Sequence, residues 1–516
     1  MLLLQGTVSF PATAIRRAAS STTSSTIYPS VVERYSLSYG AACLRSDADA
    51  IEGVHSEPSQ PLTQTVLSRV PELASWDSWY AHPRIVANGH VHTILAAKLR
   101  KTRAVKYHRQ LVPTPDGGTL AIDLLAGIRR AEQSLDWRGG DSARERTAPS
   151  SLTTGGALPG AAEEEGFTTF VDDPPPLDPE RPMLLLASGL GGGSQDTYVR
   201  SMAATAAERG WQVAVINMRA CGSSPVTSPR LFSAYRGAND DMRVAVRHLR
   251  ETRLGGADSG TPLAAIGWSN SGTIVNNVLA EQATTHADDP SHAIDAAAAI
   301  ATPLNMPANS ANLQRPFHRT VYDANLGKSL QALWAAARDQ YVDPATGEMR
   351  EVPYWDGLAP PDAGGREQLD PTGVGVLHEK TFVADDALAK SARSIRELDE
   401  AVTRRQYGYA SVDDYYAAAS SDQRLGLIAT PTLLLNAYDD PIVPGASLCD
   451  ALASARANPQ LVMALTSHGG HLGWCERDDP WGGSAWCERA ACGFLEAALD
   501  LEPTLACEQA SCEVFD

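Results

Sequence analysis

Short apolar runs alternate with amphipathic stretches through the middle and the end of the chain. Six runs have the length and apolar content of buried strands, and they lie at 183–188, 213–217, 263–266, 294–300, 431–436 and 461–465. Helical patterns follow the first three runs, at 196–209, 238–252 and 273–280. Strands that alternate with helices predict an α/β fold, with a mostly parallel sheet and helices on both of its faces.

The first part of the chain and the region before the fifth run have other patterns. Residues 105–113 and 119–125 predict two antiparallel strands joined by an Asp-Gly turn. Residues 128–181 are rich in Gly, Ser, Pro and acids, which predicts a disordered insertion. The long stretch between the fourth and fifth runs is expected to form a cap insertion above the carboxyl ends of the strands.

These boundaries divide the chain into segments, and its length suffices for a large hydrophobic core. The expected segments are a disordered or targeting N-terminal segment (1–55), the N-terminal part of the core domain (56–127), the disordered insertion (128–181), the core with the third run (182–303), the cap or lid insertion (304–425), the core with the last two runs (426–500) and a C-terminal tail (501–516).

The third run leads directly into a turn of small residues that includes Gly267, Ser269, Ser271 and Gly272. A strand that turns sharply into a helix can lift one side chain above the sheet edge, as in the G-x-S-x-G nucleophile elbow. Ser269 occupies the nucleophile position, while Ser271 departs from the pattern by replacing the second glycine. A serine hydroxyl needs a base to take its proton, so the motif predicts an acid and then a histidine further along the chain.

Both partners follow in the expected order. Asp439 and Asp440 come just after the fifth run, and we expect Asp440 to be the acid because it directly precedes a Pro-Ile-Val-Pro turn, with Asp439 as the alternative. After the sixth run, His471 follows two glycines and is the candidate base, with His468 as the competitor. Ser269, Asp440 and His471 are therefore the candidate catalytic triad.

A glycine-rich segment at 189–194 follows the first run and would let backbone N–H groups point at an oxyanion. We expect the N–H groups of Asn270 and Leu190 to form this oxyanion hole. A phosphate-binding loop is the alternative, but Ser194 replaces the third glycine of G-x-G-x-x-G, and the next strand ends at Asn217 without an acid for a ribose. No cofactor is therefore expected.

Histidine and cysteine positions give no metal signature. His90 and His92 are expected to cap or pack on the core, because a third ligand is not found near them in the sequence. The 8 cysteines include no C-x-x-C pair, which indicates a reduced, intracellular protein. A disulfide among the late cysteines stays open as an alternative, and no metal site is predicted.

Charge and composition limit the partners. A net charge of −18 argues against nucleic acid and against passive docking on anionic lipid, because both need basic patches. No run approaches the roughly 20 apolar residues of a membrane span, so peripheral contact is the form of lipid contact left open. Residues 1–32 lack Asp and Glu and are rich in Ser and Thr, which fits an organellar transit peptide or a disordered tail. We expect a cytoplasmic or mitochondrial location.

The chain resembles a known family through motifs that occur in order from about residue 81 to 499. It is similar to the YheT/embryogenesis-associated (EMB-type) branch of the α/β-hydrolase-domain proteins, which includes the fungal medium-chain fatty acid ethyl ester synthase/esterases. The motifs lie at 89–94, 189–200, 217–230, 267–272, 398–401, 407–409, 414–416, 436–444 and 469–473. Ser188, Ala220 and Ser271 depart from the family pattern, which often has His, Gly and Gly there.

The resemblance implies an α/β-hydrolase fold and hydrolysis of lipid-like or medium-chain acyl esters, with acyl transfer to an alcohol as a further reaction. The expected partner is a small-molecule acyl ester. A hydrolase fold without catalysis that serves as a binding module is the alternative from a different class, and the complete set of triad residues argues against it.

Overall fold

The computed structural model describes residues 53–74, 80–84, 88–129, 167–287, 289–358, 375–480, 485–501 and 513–515. Nearly all of the expected targeting or disordered segment lies outside the described residues. So do residues 130–166 of the expected insertion and most of the C-terminal tail.

Most strands belong to one sheet. The strands are β1 (Gly53–Val54), β2 (Val105–Pro113), β3 (Thr119–Arg129), β4 (Thr168–Phe170), β5 (Met183–Ala187), β6 (Gln212–Asn217), β7 (Leu263–Trp268), β8 (Ala296–Ile300), β9 (Val352–Leu358), β10 (Gly375–Phe382), β11 (Thr432–Ala437), β12 (Leu461–Thr466) and β13 (Glu513–Phe515). Their order in the sheet is β1-β12-β11-β8-β7-β5-β6-β3-β2-β4, with β13 paired to β3, while β9 and β10 form a separate hairpin.

The centre of the sheet is parallel from β12 to β6. β1 pairs antiparallel with β12 at one edge, and the β2–β3 hairpin continues the sheet antiparallel from β6 at the other. The predicted mostly parallel sheet and the predicted Asp-Gly hairpin are therefore confirmed.

Helices cover both faces of this sheet and build the cap. They are α1 (Pro61–Arg69), α2 (Pro71–Ala74), α3 (Gly89–Leu99), α4 (Thr197–Glu208), α5 (Gly237–Arg253), α6 (Asn270–Gln282), α7 (Met306–Leu313), α8 (Pro316–His318), α9 (Ala324–Ala337), α10 (Asp386–Ser391), α11 (Ile395–Leu398), α12 (Arg404–Gln406), α13 (Val412–Ala419), α14 (Cys449–Ala457) and α15 (Trp486–Ala498). Two π-helical turns, Arg319–Asp323 and Asp399–Thr403, lie within the cap. Short 3-10 helices occur at Pro290–His292, Arg338–Tyr341, Asp422–Leu427 and Gly445–Leu448.

Alternate residues of each central strand pack into two separate apolar layers, one on each face of the sheet. In β5, Leu185 and Ala187 belong to the layer that contains α5 and α6, whereas Leu184 and Leu186 belong to the layer that contains α4 and α15. β5, β7, β8, β11 and β12 are buried along their whole length. Burial on both faces explains why these strands are continuous apolar runs in the sequence rather than alternating ones.

The stretch between β8 and β11 contains α7 to α13 and the β9–β10 hairpin, where the sequence predicts a cap. Leu330, Trp334 and Tyr341 of this stretch are buried in the same apolar layer as α5 and α6. The cap is therefore packed firmly on the core, while the division of the chain into segments stays a prediction.

The expected disordered insertion at 128–181 is too wide at both ends. Ile128 and Arg129 belong to β3, where they pair with β2 or with β13. Thr168–Phe170 form β4, which pairs parallel with β2, and Arg253 donates to the carbonyl oxygens of Pro175 and Pro176. Pairing with distant segments satisfies these backbone groups, and local composition does not reveal it.

Cys475, Cys487 and Cys492 are free thiols, so the disulfide left open in the sequence does not link these three residues. Cys507 and Cys512 lie outside the described residues. Among the helices of the described part of the chain, none is long and apolar enough to cross a membrane.

Candidate active site

Ser269 lies at the turn between β7 and α6. Its φ is 50° and its ψ is −121°, a conformation that costs a residue with a side chain about 1–3 kcal/mol. A Cβ on Gly267 would collide with the carbonyl oxygen of Ser271, so only glycine fits before the turn. A Cβ on Gly272 would collide with Thr302 Oγ1. The close approach of α6 to Thr302 therefore depends on a glycine that lies one position later than in the G-x-S-x-G pattern.

Ser271 fills the position of the missing glycine and has a contact of its own. Its Oγ donates to the carbonyl oxygen of Ser188 at 2.5 Å, and its side chain is buried. Ser188 follows the last residue of β5. Two of the three positions at which the chain departs from the family pattern therefore contact each other, and they tie the elbow to the glycine-rich loop.

His471 lies between Ser269 and Asp440. Its Nε2 is 3.1 Å from Ser269 Oγ, and its Nδ1 is 2.7 Å from Asp440 Oδ2. Asp440 Oδ1 accepts from the N–H groups of Ile442 and Val443 at 2.7 and 2.9 Å. Asp440 and His471 are both buried. The backbone donors fix the orientation of the carboxylate, so it faces the imidazole rather than water.

The two alternative residues have other partners. Asp439 Oδ1 accepts from the N–H group of Gly470 at 2.9 Å, and burial raises the pKa of its carboxyl. His468 stacks on His82, with the ring centroids 4.0 Å apart. Both alternatives therefore lie outside the hydrogen-bonded chain that begins at Ser269. The catalytic assignment itself stays a prediction.

Helix α3 supports the histidine loop, a role that the sequence analysis missed. Thr93 Oγ1 accepts from the backbone N–H of His471 at 2.7 Å. A Cβ on Gly89 would collide with the carbonyl oxygen of Asp439, so the start of α3 and the acid loop touch through backbone. The family motif at 89–94 was the available signal, but a contact between segments so far apart is not visible in local sequence.

The glycine-rich loop after β5 lies beside Ser269. A Cβ on Gly189 would be 3.4 Å from Ser269 Cβ, and Leu190 and Asn270 line the same cavity as Ser269. The backbone N–H groups of Leu190 and Asn270 make no hydrogen bond to any other described residue. Both groups are thus available to an oxyanion, and their role stays a prediction.

Tyr198 anchors this loop. Its hydroxyl oxygen accepts from Gly189 N at 3.0 Å, lies 2.6 Å from Ser188 Oγ and donates to Asp196 Oδ2 at 3.0 Å. Asp196 Oδ2 also accepts from Ser188 Oγ at 2.5 Å and from Gly193 N at 3.2 Å. Burial raises the pKa of both the Asp196 carboxyl and the Tyr198 phenol. The sequence gives no local signal for this cluster apart from Ser188, which stands at the position of a family histidine.

A cavity of about 290 Å³ opens above Ser269 and His471, between the core and the cap. Its apolar lining includes Leu190, Leu313, Leu326, Leu330, Ile395 and Ile442. Its polar lining includes Asp399 of the cap, which accepts from Tyr416 OH at 2.8 Å. Burial raises the pKa of Asp399 to about 6. The cavity is therefore lined by an apolar wall and by the side chains of Ser269 and His471.

The two histidines of α3 are held by protein contacts. His92 Nε2 is 3.1 Å from Tyr80 OH and accepts from Cys475 N at 2.7 Å, and burial lowers the pKa of His92 to about 3. His90 Nδ1 is 2.8 Å from Tyr322 OH of the cap. Hydrogen bonds within the protein thus account for both side chains. No group of three or more metal-ligating side chains occurs in the described part of the chain.

A mostly parallel sheet of this order, with a serine at the strand-to-helix elbow and a cap before the acid strand, defines the α/β-hydrolase fold. No protein-family model matches the chain.

The resemblance to the YheT/embryogenesis-associated branch is confirmed by individual relatives. The chain is 27% identical to Embryogenesis-associated protein EMB8 of Picea glauca, over 81% of this chain and 72% of that protein. It is 26% identical to a monoacylglycerol lipase of Saccharomyces cerevisiae, over 85% of both chains. It is 29% identical to the putative esterase YheT of Escherichia coli, over 57% of this chain and 71% of that protein.

Proposed function

We propose that this protein is a serine hydrolase that cleaves carboxylic esters of lipid-like or medium-chain acyl groups. The observation that carries the proposal is the hydrogen-bonded series from Ser269 Oγ through His471 to Asp440, at 3.1 and 2.7 Å, at the base of a cavity with an apolar wall. The names of the relatives, which include a lipase and a putative esterase, support the same class of reaction.

The proposed mechanism follows from the positions of the atoms. Ser269 Oγ attacks the ester carbonyl while His471 Nε2 takes its proton, and Asp440 stabilises the imidazolium through Nδ1–H. The N–H groups of Asn270 and Leu190 stabilise the oxyanion. The intermediate collapses to an acyl-enzyme as His471 returns the proton to the leaving alcohol. Water, or a second alcohol, then attacks with His471 as base and regenerates Ser269.

The apolar lining of the cavity supports the proposal that the cavity binds the acyl chain of the substrate. Leucine and isoleucine side chains from both the cap and the core form its apolar wall, and removal of a hydrocarbon chain from water is favourable at about 0.8 kcal/mol for each buried CH₂. Transfer of the acyl group to an alcohol uses the same acyl-enzyme, so both outcomes belong to the proposal. A series of p-nitrophenyl esters of increasing chain length, assayed with and without ethanol, measures chain preference and acceptor choice.

The test of the nucleophile is Ser269→Ala. We expect loss of ester turnover with a melting temperature close to that of the wild type, because the variant loses one hydroxyl and keeps the same backbone. A serine-reactive fluorophosphonate should label the wild type and not the variant. Labelling that persists in Ser269→Ala would assign the nucleophile to another residue, and a wild type that neither reacts nor hydrolyses esters would favour a binding module.

A further inference from the structure

Helix α3 exposes apolar side chains along one side. Val91 and Ile94 are 40% and 43% exposed, and residues three positions apart lie on one face of a helix. Leu99, the last residue of α3, is 46% exposed. Phe317 of α8 is 56% exposed, and its ring centroid lies 5.0 Å from that of His90, the neighbour of Val91. We call Val91, Ile94, Leu99 and Phe317 the α3 patch.

The opposite side of the same helix contacts the candidate active site. His92 and Ala96 are buried, and Thr93 accepts from the backbone N–H of His471. His90 links the helix to the cap through Tyr322. The α3 patch therefore lies about one helix diameter, roughly 10 Å, from the histidine loop.

Three cationic residues lie on or next to the segments that carry the patch, although the chain as a whole has a net charge of −18. Lys98 lies within the apolar stripe, Lys101 follows the end of α3, and Arg315 precedes Phe317 by two positions; all three are exposed. Within the described part of the chain, none of the three forms an ion pair. The net charge argued against docking on anionic lipid, but these three side chains give one face of the molecule exposed positive charge that is not neutralised by an ion pair among the described residues.

Apolar side chains that are exposed next to lysines can be buried at a lipid–water interface while the lysines stay among the headgroups. We propose that the α3 patch is the surface through which this protein binds a lipid surface that contains anionic headgroups. The proposal rests on the proposed function for the nature of the substrate, since docking there holds the histidine loop next to a store of lipid esters. Apolar side chains enter the acyl region while Lys98 and Lys101 meet the headgroups.

Vesicle binding tests the apolar part of the proposal. All proteins carry Ser269→Ala, so that no turnover alters the lipid, and they are sedimented with phosphatidylcholine vesicles that contain or lack phosphatidylserine. Val91→Ser, Ile94→Ser and Phe317→Ser together should lower the partition coefficient by roughly tenfold or more, because each removes a side chain that becomes buried. The matched control is Leu111→Ser, Leu177→Ser and Leu427→Ser, which removes three leucines that are each more than half exposed elsewhere; it should bind like the parent.

A second variant tests the contribution of the lysines to vesicle binding. Lys98→Gln with Lys101→Gln should weaken binding to phosphatidylserine-containing vesicles by about fivefold for each lysine and leave binding to pure phosphatidylcholine unchanged. Parent protein that does not sediment with either vesicle overturns the proposal, as does a patch variant that sediments like the control. A patch variant that keeps vesicle binding but converts a dimer to a monomer in analytical ultracentrifugation assigns the surface to a second copy of this chain.

A separate activity assay tests the proposed function independently of vesicle binding. In proteins that retain Ser269, the patch variants should hydrolyse a water-soluble short-chain p-nitrophenyl ester at the wild-type rate and lose activity on esters embedded in vesicles. Vesicle binding without any ester turnover in the wild type would leave the docking surface standing and remove the proposed function. Normal turnover of both substrates by the patch variants would leave the proposed function standing and remove the docking surface.

Discussion

Two adjacent carboxylates follow β11, and their different partners allow a direct test. Asp440 contacts His471 Nδ1, whereas Asp439 accepts from Gly470 N. Asp440→Asn presents an amide to the imidazole and favours the wrong tautomer, so we expect kcat to fall by about 10⁴. Asp439→Asn keeps an oxygen for Gly470 N and should reduce kcat by about tenfold or less.

The measurement is kcat for both variants on one medium-chain p-nitrophenyl ester, with folding checked by circular dichroism. A larger loss in Asp439→Asn would reverse the assignment of the acid. Small losses in both variants would mean that another residue orients the histidine.

Tyr198 gives a second prediction for a single side chain. Tyr198→Phe removes the acceptor of Gly189 N and so loosens the backbone next to Leu190. A buried donor left without a partner costs about 1–3 kcal/mol, and the proposed oxyanion donor moves with it. We expect kcat to fall roughly tenfold with KM little changed.

The matched control is Tyr341→Phe. Tyr341 is also buried and donates to Gln406 at 2.8 Å, within the cap and away from the glycine-rich loop. A similar loss of stability without a loss of kcat is expected there. Equal effects of the two variants on kcat would assign Tyr198 a purely structural role.

Among the elements, the cap carries a buried acid that should make stability depend on pH. Burial raises the pKa of Asp399 from 3.8 to about 6, so the folded state holds this proton more tightly than the unfolded state. Stability from this group is therefore present at low pH and is lost as pH rises from about 4 to above 6. The ionised form costs up to about 3 kcal/mol, since each pKa unit corresponds to about 1.4 kcal/mol.

Asp399→Asn removes the charge and keeps an acceptor for Tyr416 OH. We expect the variant to raise the free energy of unfolding in urea at pH 8 and to change it much less at pH 4.5. Asp413→Asn is the control, because Asp413 is exposed and its pKa is lowered by Arg396. It should give no gain at pH 8. An equal gain from Asp399→Asn at both pH values would contradict the linkage.

The burial and length of each element explain how much of the fold could be predicted from the sequence. The central strands are buried on both faces, so each is a continuous apolar run, and their alternation with helices predicted the parallel sheet. β4 is only Thr168–Phe170 and has no pattern of its own; pairing with β2 alone makes it a strand. Helix α3 was also not predicted, because its exposed side is apolar and the usual amphipathic signal is lost.

Some residues of the candidate site could likewise be predicted from the sequence, and others could not. The order of Ser269, Asp440 and His471 is a property of chain connectivity, so the sequence could nominate them. Thr93 and Tyr198 act through contacts with backbone atoms that become neighbours only after folding. Residue type and spacing carry no signal for such contacts, and the structure was needed to find them.

The connectivity of the whole sheet gives the last prediction. A disordered insertion at 128–181, as the composition predicts, would tolerate deletion of residues 133–177, but that deletion would remove β4 and the carbonyl groups of Pro175 and Pro176 that Arg253 binds. It should therefore lower the melting temperature or the yield of folded protein. Deletion of 133–165 leaves every one of these contacts in place.

The shorter deletion is also compatible with chain geometry. Ile128 and Thr168 both pair with Val105, one on each side of it, so they lie about 10 Å apart at neighbouring strand spacings of about 4.8 Å. The few residues left between β3 and β4 can span more than this, at about 3.3 Å each. We expect the 133–165 deletion to keep the wild-type melting temperature and kcat while the 133–177 deletion loses stability. Equal melting temperatures for the two deletions would show that β4 and its contact with Arg253 contribute nothing measurable to the fold.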